Sequence, residues 1–377
     1  MKVLHIITRM NTGGPAVFLD HLTNAMSDLG TQSTIAYGYC ESNEADYIEE
    51  HTFNADFIKI KSLHRTLNPL DDIRAFFQIR EIIKQEKPDL VNTHTSKSGV
   101  LGRIAARSVN RNLPVVHTYL GHLIYGYFGR PKIFIFTLIE KIMSLFTSAA
   151  VAITSETKNS LLKEGVGKNL RWEVIRIGLP KKNVVIKLNY DQQKFKILWV
   201  GRFTDIKNPN FAIETLKELE RRMPGIYELT MIGGGELYNE IMKVSKGLPI
   251  NFTGWVIDPF KNIEEFDMLM MTSKNEGLPL VILEAAMYAR PTISTDVGGV
   301  SEFIIDGKTG YLVGNKPHEM ATKLLDLVKN KKDLFSVGQN AKDLLSQEFS
   351  SEYMASRHLD LYLDLVKNEG HKPKSAS

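Results

Sequence analysis

Two glutamates eight residues apart, Glu276 and Glu284, lie in the stretch SKNEGLPLVILEAAMYA. Glu276 falls in a loop after the apolar run 268–271. Glu284 falls about two turns into a helix that Pro279 is suited to start. The first amides of that helix, at Leu280 and Val281, have no intrahelical partner and sit at its partly positive end, so they can hold a phosphate. Glu284 is then placed to accept hydrogen bonds from adjacent sugar hydroxyls. A lone carboxylate in so apolar a stretch is costly unless satisfied, so Glu284 either takes such hydroxyls or pairs with a Lys or Arg elsewhere. Upstream, GRFTDIKNPN sets Arg202 and Lys207 in one loop after the run 197–200. Arginine offers a planar fork of donors and lysine a point charge, a combination that can neutralise a diphosphate. Taken alone they would serve equally as solvated loop cations. Near the start, TRMNTGGPAVF sets Gly13 and Gly14 at the opening of a helix, where the backbone can approach an anion or simply make a tight turn.

These loops need strands and helices behind them. Short β-branched runs alternate with helical-period segments along the chain, the pattern of βαβ units and an α/β fold with parallel sheets. Strands are predicted at 3–7, 33–37, 57–60, 90–93, 115–118, 151–154 and 174–177, with helices at 16–29, 71–86 and 98–109. A second series has strands at 197–200, 229–232, 251–253, 268–271 and 292–294 and helices near 209–221, 236–246, 279–289 and 317–329. The segment 178–193 reads as the linker. The expected division is therefore 1–185 and 186–366, two doubly wound, Rossmann-like domains facing a shared cleft, with a disordered tail at 367–377.

The 377 residues, 43% hydrophobic and 24% charged, are enough for two cores and exclude fibrous and disordered classes. Cys40 is the single cysteine, so no intramolecular disulfide or multi-cysteine zinc site can form. The opening residues carry too short an apolar run for a signal peptide, and a cytoplasmic location is expected. Residues 131–154 come nearest to a membrane span but are interrupted by Glu140-Lys141. They read as a buried amphipathic helix followed by a strand, with membrane contact along one face left open. Residues 1–185 hold 23 Lys and Arg against 17 Asp and Glu, and the remainder 24 against 26. The basic surplus suits an anionic partner or is ordinary surface variation. No basic stripe interleaved with exposed aromatics points to nucleic acid.

With these residues in place, the chain resembles the retaining glycosyltransferases of the GT-B fold, family 4, a group that includes bacterial capsule and envelope-polysaccharide enzymes. The resemblance spans nearly the whole chain. It rests on the Glu-x7-Glu pair, the following TDVGGVSEFI and DGKTGYLV, GRFTDIKN upstream, and NTGGPA, HTSKSGVLGR and GHLIYGYF in the first half. It implies transfer of a sugar from a nucleotide diphosphate sugar, UDP-sugar favoured over GDP-sugar, to a glycan or lipid-linked acceptor with retained configuration. By that likeness Arg202 and Lys207 hold the diphosphate, Glu276 faces the donor sugar, Glu284 binds the ribose, Val256 lies near the base and Gly14 also belongs to the donor site. The family's Thr-aromatic-His-Gly-His run here reads Thr118-Tyr119-Leu120-Gly121-His122, and Leu120 can neither donate nor take a proton. The polar contact near the anomeric centre then falls to His122, His94 or His117. His122 is the favoured choice, with His94 and His122 toward the acceptor. No cofactor or metal is expected: the chain has no Asp-x-Asp, and the cations and helix amides can meet the leaving diphosphate instead. Attack is expected from the face the diphosphate leaves, the departing phosphate taking the acceptor's proton. The aromatic segment 123–136 lines a pocket, joins the core or meets a membrane that presents a lipid-linked sugar. The fold also serves nucleotide-sugar epimerases, and Leu120 keeps a non-catalytic nucleotide-sugar binding protein in view.

Overall fold

The computed structural model describes residues 1–41, 46–49, 51–121, 130–182 and 194–369. The chain divides into two compact units, Met1–Pro180 with Ser350–Ser377, and Lys181–Phe349.

In the first unit the chain runs β1 (Lys2–Ile7), α1 (Gly14–Asp28), β2 (Gln32–Tyr37), β3 (Asp56–Lys59), α2 (Pro69–Glu86), β4 (Leu90–His94), α3 (Ser96–Val109), β5 (Val115–Tyr119), α4 (Arg130–Met143), β6 (Ala149–Ala152), α5 (Ser155–Lys163) and β7 (Arg171–Val174). The seven strands form a parallel sheet in the order β3-β2-β1-β4-β5-β6-β7. The central strands are buried on both faces, and Leu4, Ile6, Val91 and Val115 pack with Ile79, Ile83 and Ala105 of the covering helices. The second unit follows with β8 (Phe195–Val200), α6 (Pro209–Arg222), β9 (Tyr227–Ile232), α7 (Tyr238–Val244), β10 (Ile250–Gly254), β11 (Met268–Met271), α8 (Leu280–Met287), β12 (Thr292–Thr295), β13 (Tyr311–Val313), α9 (Pro317–Lys329) and α10 (Lys331–Glu348). Its sheet, β10-β9-β8-β11-β12-β13, is also parallel. Trp199, Phe203, Leu216 and Met231 lie in its core.

In both sheets the order of strand addition reverses beside the first strand, between β1 and β4 and between β8 and β11. At such a switch point the loops leaving adjacent strands diverge onto opposite faces and open a crevice at the strands' carboxyl ends.

The structure corrects the expected domain boundaries. A final helix, α11 (Ser351–Glu369), returns to the first unit and packs along α1. Met354, Ala355, Leu361 and Tyr362 are buried there, a stronger call on this segment than sequence adjacency to the second unit. The return point lies beside the exit point, with Leu179 bridging Ser350. Residues 367–369, expected to be disordered, belong to α11, while 370–377 lie outside the described residues. Much of the predicted linker, 183–193, also lies outside them. Strands predicted at 151–154 and 174–177 are β6 and β7, displaced toward the N-terminus. The helix 131–143, expected to be buried, is α4, and one side of it faces solvent.

Candidate functional site

In the second unit, the loops after β8 and β11 meet at the switch point. The Trp199 indole donates to Thr272 Oγ1 at 2.9 Å, and the Thr272 hydroxyl donates to the carbonyl of Lys207 at 3.0 Å. The amide of Lys274 donates to the carbonyl of Ile206 at 2.8 Å. With its backbone so tied, Lys207 extends Nζ to Glu276 Oε1 at 2.5 Å, and Ser273 Oγ donates to the same oxygen at 2.6 Å. Asn208, in the left-handed region at φ 51°, turns the loop into α6, whose first residue is Pro209.

From its other side, Glu276 is held by the loop after β12. The Gly299 amide donates to the Glu276 carbonyl at 3.1 Å, and Gly298, at φ 58°, passes so close that a Cβ there would lie 1.8 Å from that carbonyl oxygen. Only glycine permits this approach.

Arg202 lies exposed in the same loop as Lys207 and makes no hydrogen bond or ion pair among the described residues. The site thus offers two lysines held by carboxylates, Lys207 by Glu276 and Lys274 by Asp205, and one arginine directed to solvent. Leu280 and Val281 open α8 and are half-buried, with their amides at the helix start. Pro279 precedes the helix in extended geometry, so Glu284 is the fifth residue of α8, nearer its start than expected. The Glu284 carboxylate makes no hydrogen bond to a described residue. Burial pushes its pKa up to about 7, with Asp258 adding to the rise and Lys182 opposing it. Such a group is short of donors, the condition two adjacent hydroxyls would relieve.

Val256 follows β10 on an exposed apolar loop with Trp255 and Ile257. The Trp255 indole rests on Gly234, where an added Cβ would lie 2.5 Å from its Nε1. This glycine run, Gly233 to Gly235, was missed in the sequence. It packs against the loop after β8, with the Phe203 amide donating to the Gly234 carbonyl at 2.9 Å. GGG directly after a β-branched run was the available signal. Ser273 and Thr272 carried none, because single hydroxyls in loops have no pattern.

The first-unit residues are arranged differently. Gly14 opens α1 with no other atom within 4 Å of where a Cβ would stand. His94, expected toward the acceptor, is fully buried at the end of β4, its Nε2 3.2 Å from His5 Nδ1 and its ring against Phe18. Burial, with His5 and His358 nearby, holds it well below the usual histidine range and therefore neutral. His117 is buried as well, 2.8 Å from Thr93 Oγ1. The sequence does not reveal this burial, because His5 and His358 are remote from His94 in the chain. His122 lies outside the described residues. At this sheet's switch point the hydroxyls of Thr8, Thr95 and Ser98 instead converge, at 2.8 to 3.1 Å, with Thr95 at φ 62°.

Comparison with known proteins gives a consistent result. Residues 12–180 match Glycosyltransferase Family 4, and residues 194–330 match Glycosyl transferases group 1. The UDP-Gal:alpha-D-GlcNAc-diphosphoundecaprenol alpha-1,3-galactosyltransferase of Escherichia coli is 26% identical, over 86% of this chain and 87% of its own. A Campylobacter jejuni enzyme named GalNAc-alpha-(1->4)-GalNAc-alpha-(1->3)-diNAcBac-PP-undecaprenol alpha-1,4-N-acetyl-D-galactosaminyltransferase is 25% identical, over 98% of this chain and 99% of its own. Among solved structures, Anabaena HepE in complex with UDP superposes with a TM-score of 0.76 at 17% identity, covering 97% of this chain and all of that one.

Proposed function

Because the chain belongs to the glycosyltransferases, with family 4 in its first half and group 1 in its second, and has the GT-B fold, we propose that it moves a sugar from a UDP-sugar to a hydroxyl of a lipid-linked or other glycan acceptor. Transfer proceeds with retained configuration and without a metal ion, and the acceptor is met at the inner face of the cell membrane. The observation that carries this reading is the Lys207–Glu276 pair at the switch point of the second sheet, with Arg202 in the same loop unpaired among the described residues. The two relatives whose names contain an undecaprenol-linked acceptor, and the UDP bound to HepE, support the choice of substrates.

In this reading Arg202, Lys207 and the amides of Leu280 and Val281 take the donor diphosphate, the ribose hydroxyls donate to Glu284, and Val256 borders the base. The diphosphate competes with Glu276 for Lys207, which leaves the carboxylate turned toward the donor sugar. As the bond to the anomeric carbon breaks, negative charge grows on the departing diphosphate, and fixed cations and amides stabilise that charge more than they do the intact donor. The departing phosphate oxygen takes the proton of the incoming hydroxyl on the same face.

Thermal unfolding with UDP, GDP, ADP or no nucleotide tests the donor site. UDP at about 100 times its dissociation constant should add roughly 2.7 kcal/mol, and Glu284→Ala should lose most of that gain. No stabilisation by any nucleotide would sink the proposal. Acceptor-dependent release of UDP from UDP-sugar then distinguishes transfer from epimerisation or simple binding.

A further inference from the structure

The helix α4 is built inside out. Its inward face carries two polar side chains beside Ile133 and Met143: Glu140 is fully buried, bound to Arg103 Nη2 at 2.9 and 3.0 Å and to the Tyr119 hydroxyl at 2.7 Å, and Thr137 is buried. Its outward face is apolar apart from Lys141. Phe134 (70% exposed), Ile135, Leu138 (48%), Ile139 and Ile142 (47%) recur at helical spacing, and Leu145 (81%) extends the stripe past the helix end. A helix on the surface of a water-soluble domain carries the reverse pattern, and a stripe of this kind marks a surface that is covered in use.

Charge indicates what covers it. From residue 90 to 155 the chain has seven Lys and Arg and one acid, Glu140, which is buried and neutralised by Arg103. The solvent-facing charge of this segment is therefore wholly cationic, with Lys141 and Arg111 exposed. An exposed stripe on α2, formed by Leu70, Ile73 and Phe77, differs in having Asp71 and Asp72 in its first turn. Among the described residues no helix is long and apolar enough to cross a bilayer. Glu156 follows this segment, and Glu164 precedes Gly165, on which Lys141 packs, so acids are present but outnumbered; an apolar helix face with an excess of cations around it fits a position in the plane of an anionic lipid surface.

We propose that the outer face of α4, from Phe134 to Leu145, lies on an anionic phospholipid bilayer. The inference rests on the lipid-linked acceptor reading for its purpose, not for its observations. It differs from the expectation for 123–136, since the exposed stripe starts near the end of that segment and continues beyond it.

The test is flotation of the full chain with vesicles of phosphatidylcholine alone and of phosphatidylcholine with about one-third phosphatidylglycerol. Wild type should float with the anionic vesicles and weakly with the neutral ones. Leu138→Glu combined with Ile142→Glu should reduce binding by about tenfold or more with an unchanged unfolding midpoint. Leu145→Glu, beyond the helix end, should weaken binding without touching α4 itself. The proposal is overturned if wild type stays with the lipid-free fractions, if it floats equally on neutral vesicles, or if both variants bind like wild type. A wild-type dimer that the double variant loses would assign the face to a second copy and overturn it as well. Vesicle binding by a chain that transfers no sugar to any acceptor would uphold this surface and count against the transfer reading.

Discussion

At the scale of residues, Glu284 links stability to pH. Its carboxyl moves from an ordinary 4.5 to about 7, chiefly through burial. Between those values the folded chain holds a proton that the unfolded chain has released, so the native state loses stability as pH rises through this window and levels off above it. Glu284→Gln should flatten the profile: the fall in unfolding free energy from pH 5 to 8, measured in urea, should shrink by about 2 kcal/mol. Ribose hydroxyls donate to the ionised form, so UDP affinity should rise over the same window more steeply in wild type than in the variant, where only the terminal phosphate of UDP still titrates. A parallel fall in both proteins would remove Glu284 from this role. Glu276, Glu284, Arg202 and Lys207 were legible because charges in apolar or loop settings stand out. His94 was not, because its burial depends on His5 and His358, which are remote in sequence.

At the scale of elements, the alternation of strand and helix was readable throughout, but strand ends were not. The β-branched Ile153-Thr154 suggested a strand at 151–154, whereas the alanines of β6 pair with Val116 and His117 two residues earlier. Small side chains are poor advertisements for a strand, yet they suit one buried on both faces. The three residues of β13 were too few to show a period. The loop after β12 offers a direct test of how elements hold the site. In Gly298→Ala the new Cβ must displace the Glu276 carbonyl and occupy a left-handed backbone. The expected cost is about 1–3 kcal/mol of stability, together with a loss of UDP-dependent stabilisation. Gly14→Ala, whose Cβ meets open space, should alter unfolding by less than about 0.5 kcal/mol. Equal behaviour of the two variants would mean that the loop yields and does not position Glu276.

At the scale of the molecule, the α/β class and the presence of two sheets followed from the pattern, while the membership of α11 did not. Its amphipathic period shows that it must be buried somewhere, and only the fold shows that α1 is its partner. Deleting 350–369 should expose the apolar ground beneath Met354, Leu361 and Tyr362 and leave Asn92 without the Tyr362 hydroxyl, which lies 2.6 Å away. Calorimetry should then show a cooperative transition for 181–349 and a weakened or missing one for the first unit. An unchanged first transition would show α11 to be dispensable. The same return of the chain governs events on the ribosome. The segment 181–349 is contiguous and is synthesised in full before α11. The unit begun first is therefore finished second, and throughout the synthesis of its neighbour it presents the uncovered flank of α1 to the cytosol, as a site for a chaperone to hold or for another nascent chain to meet.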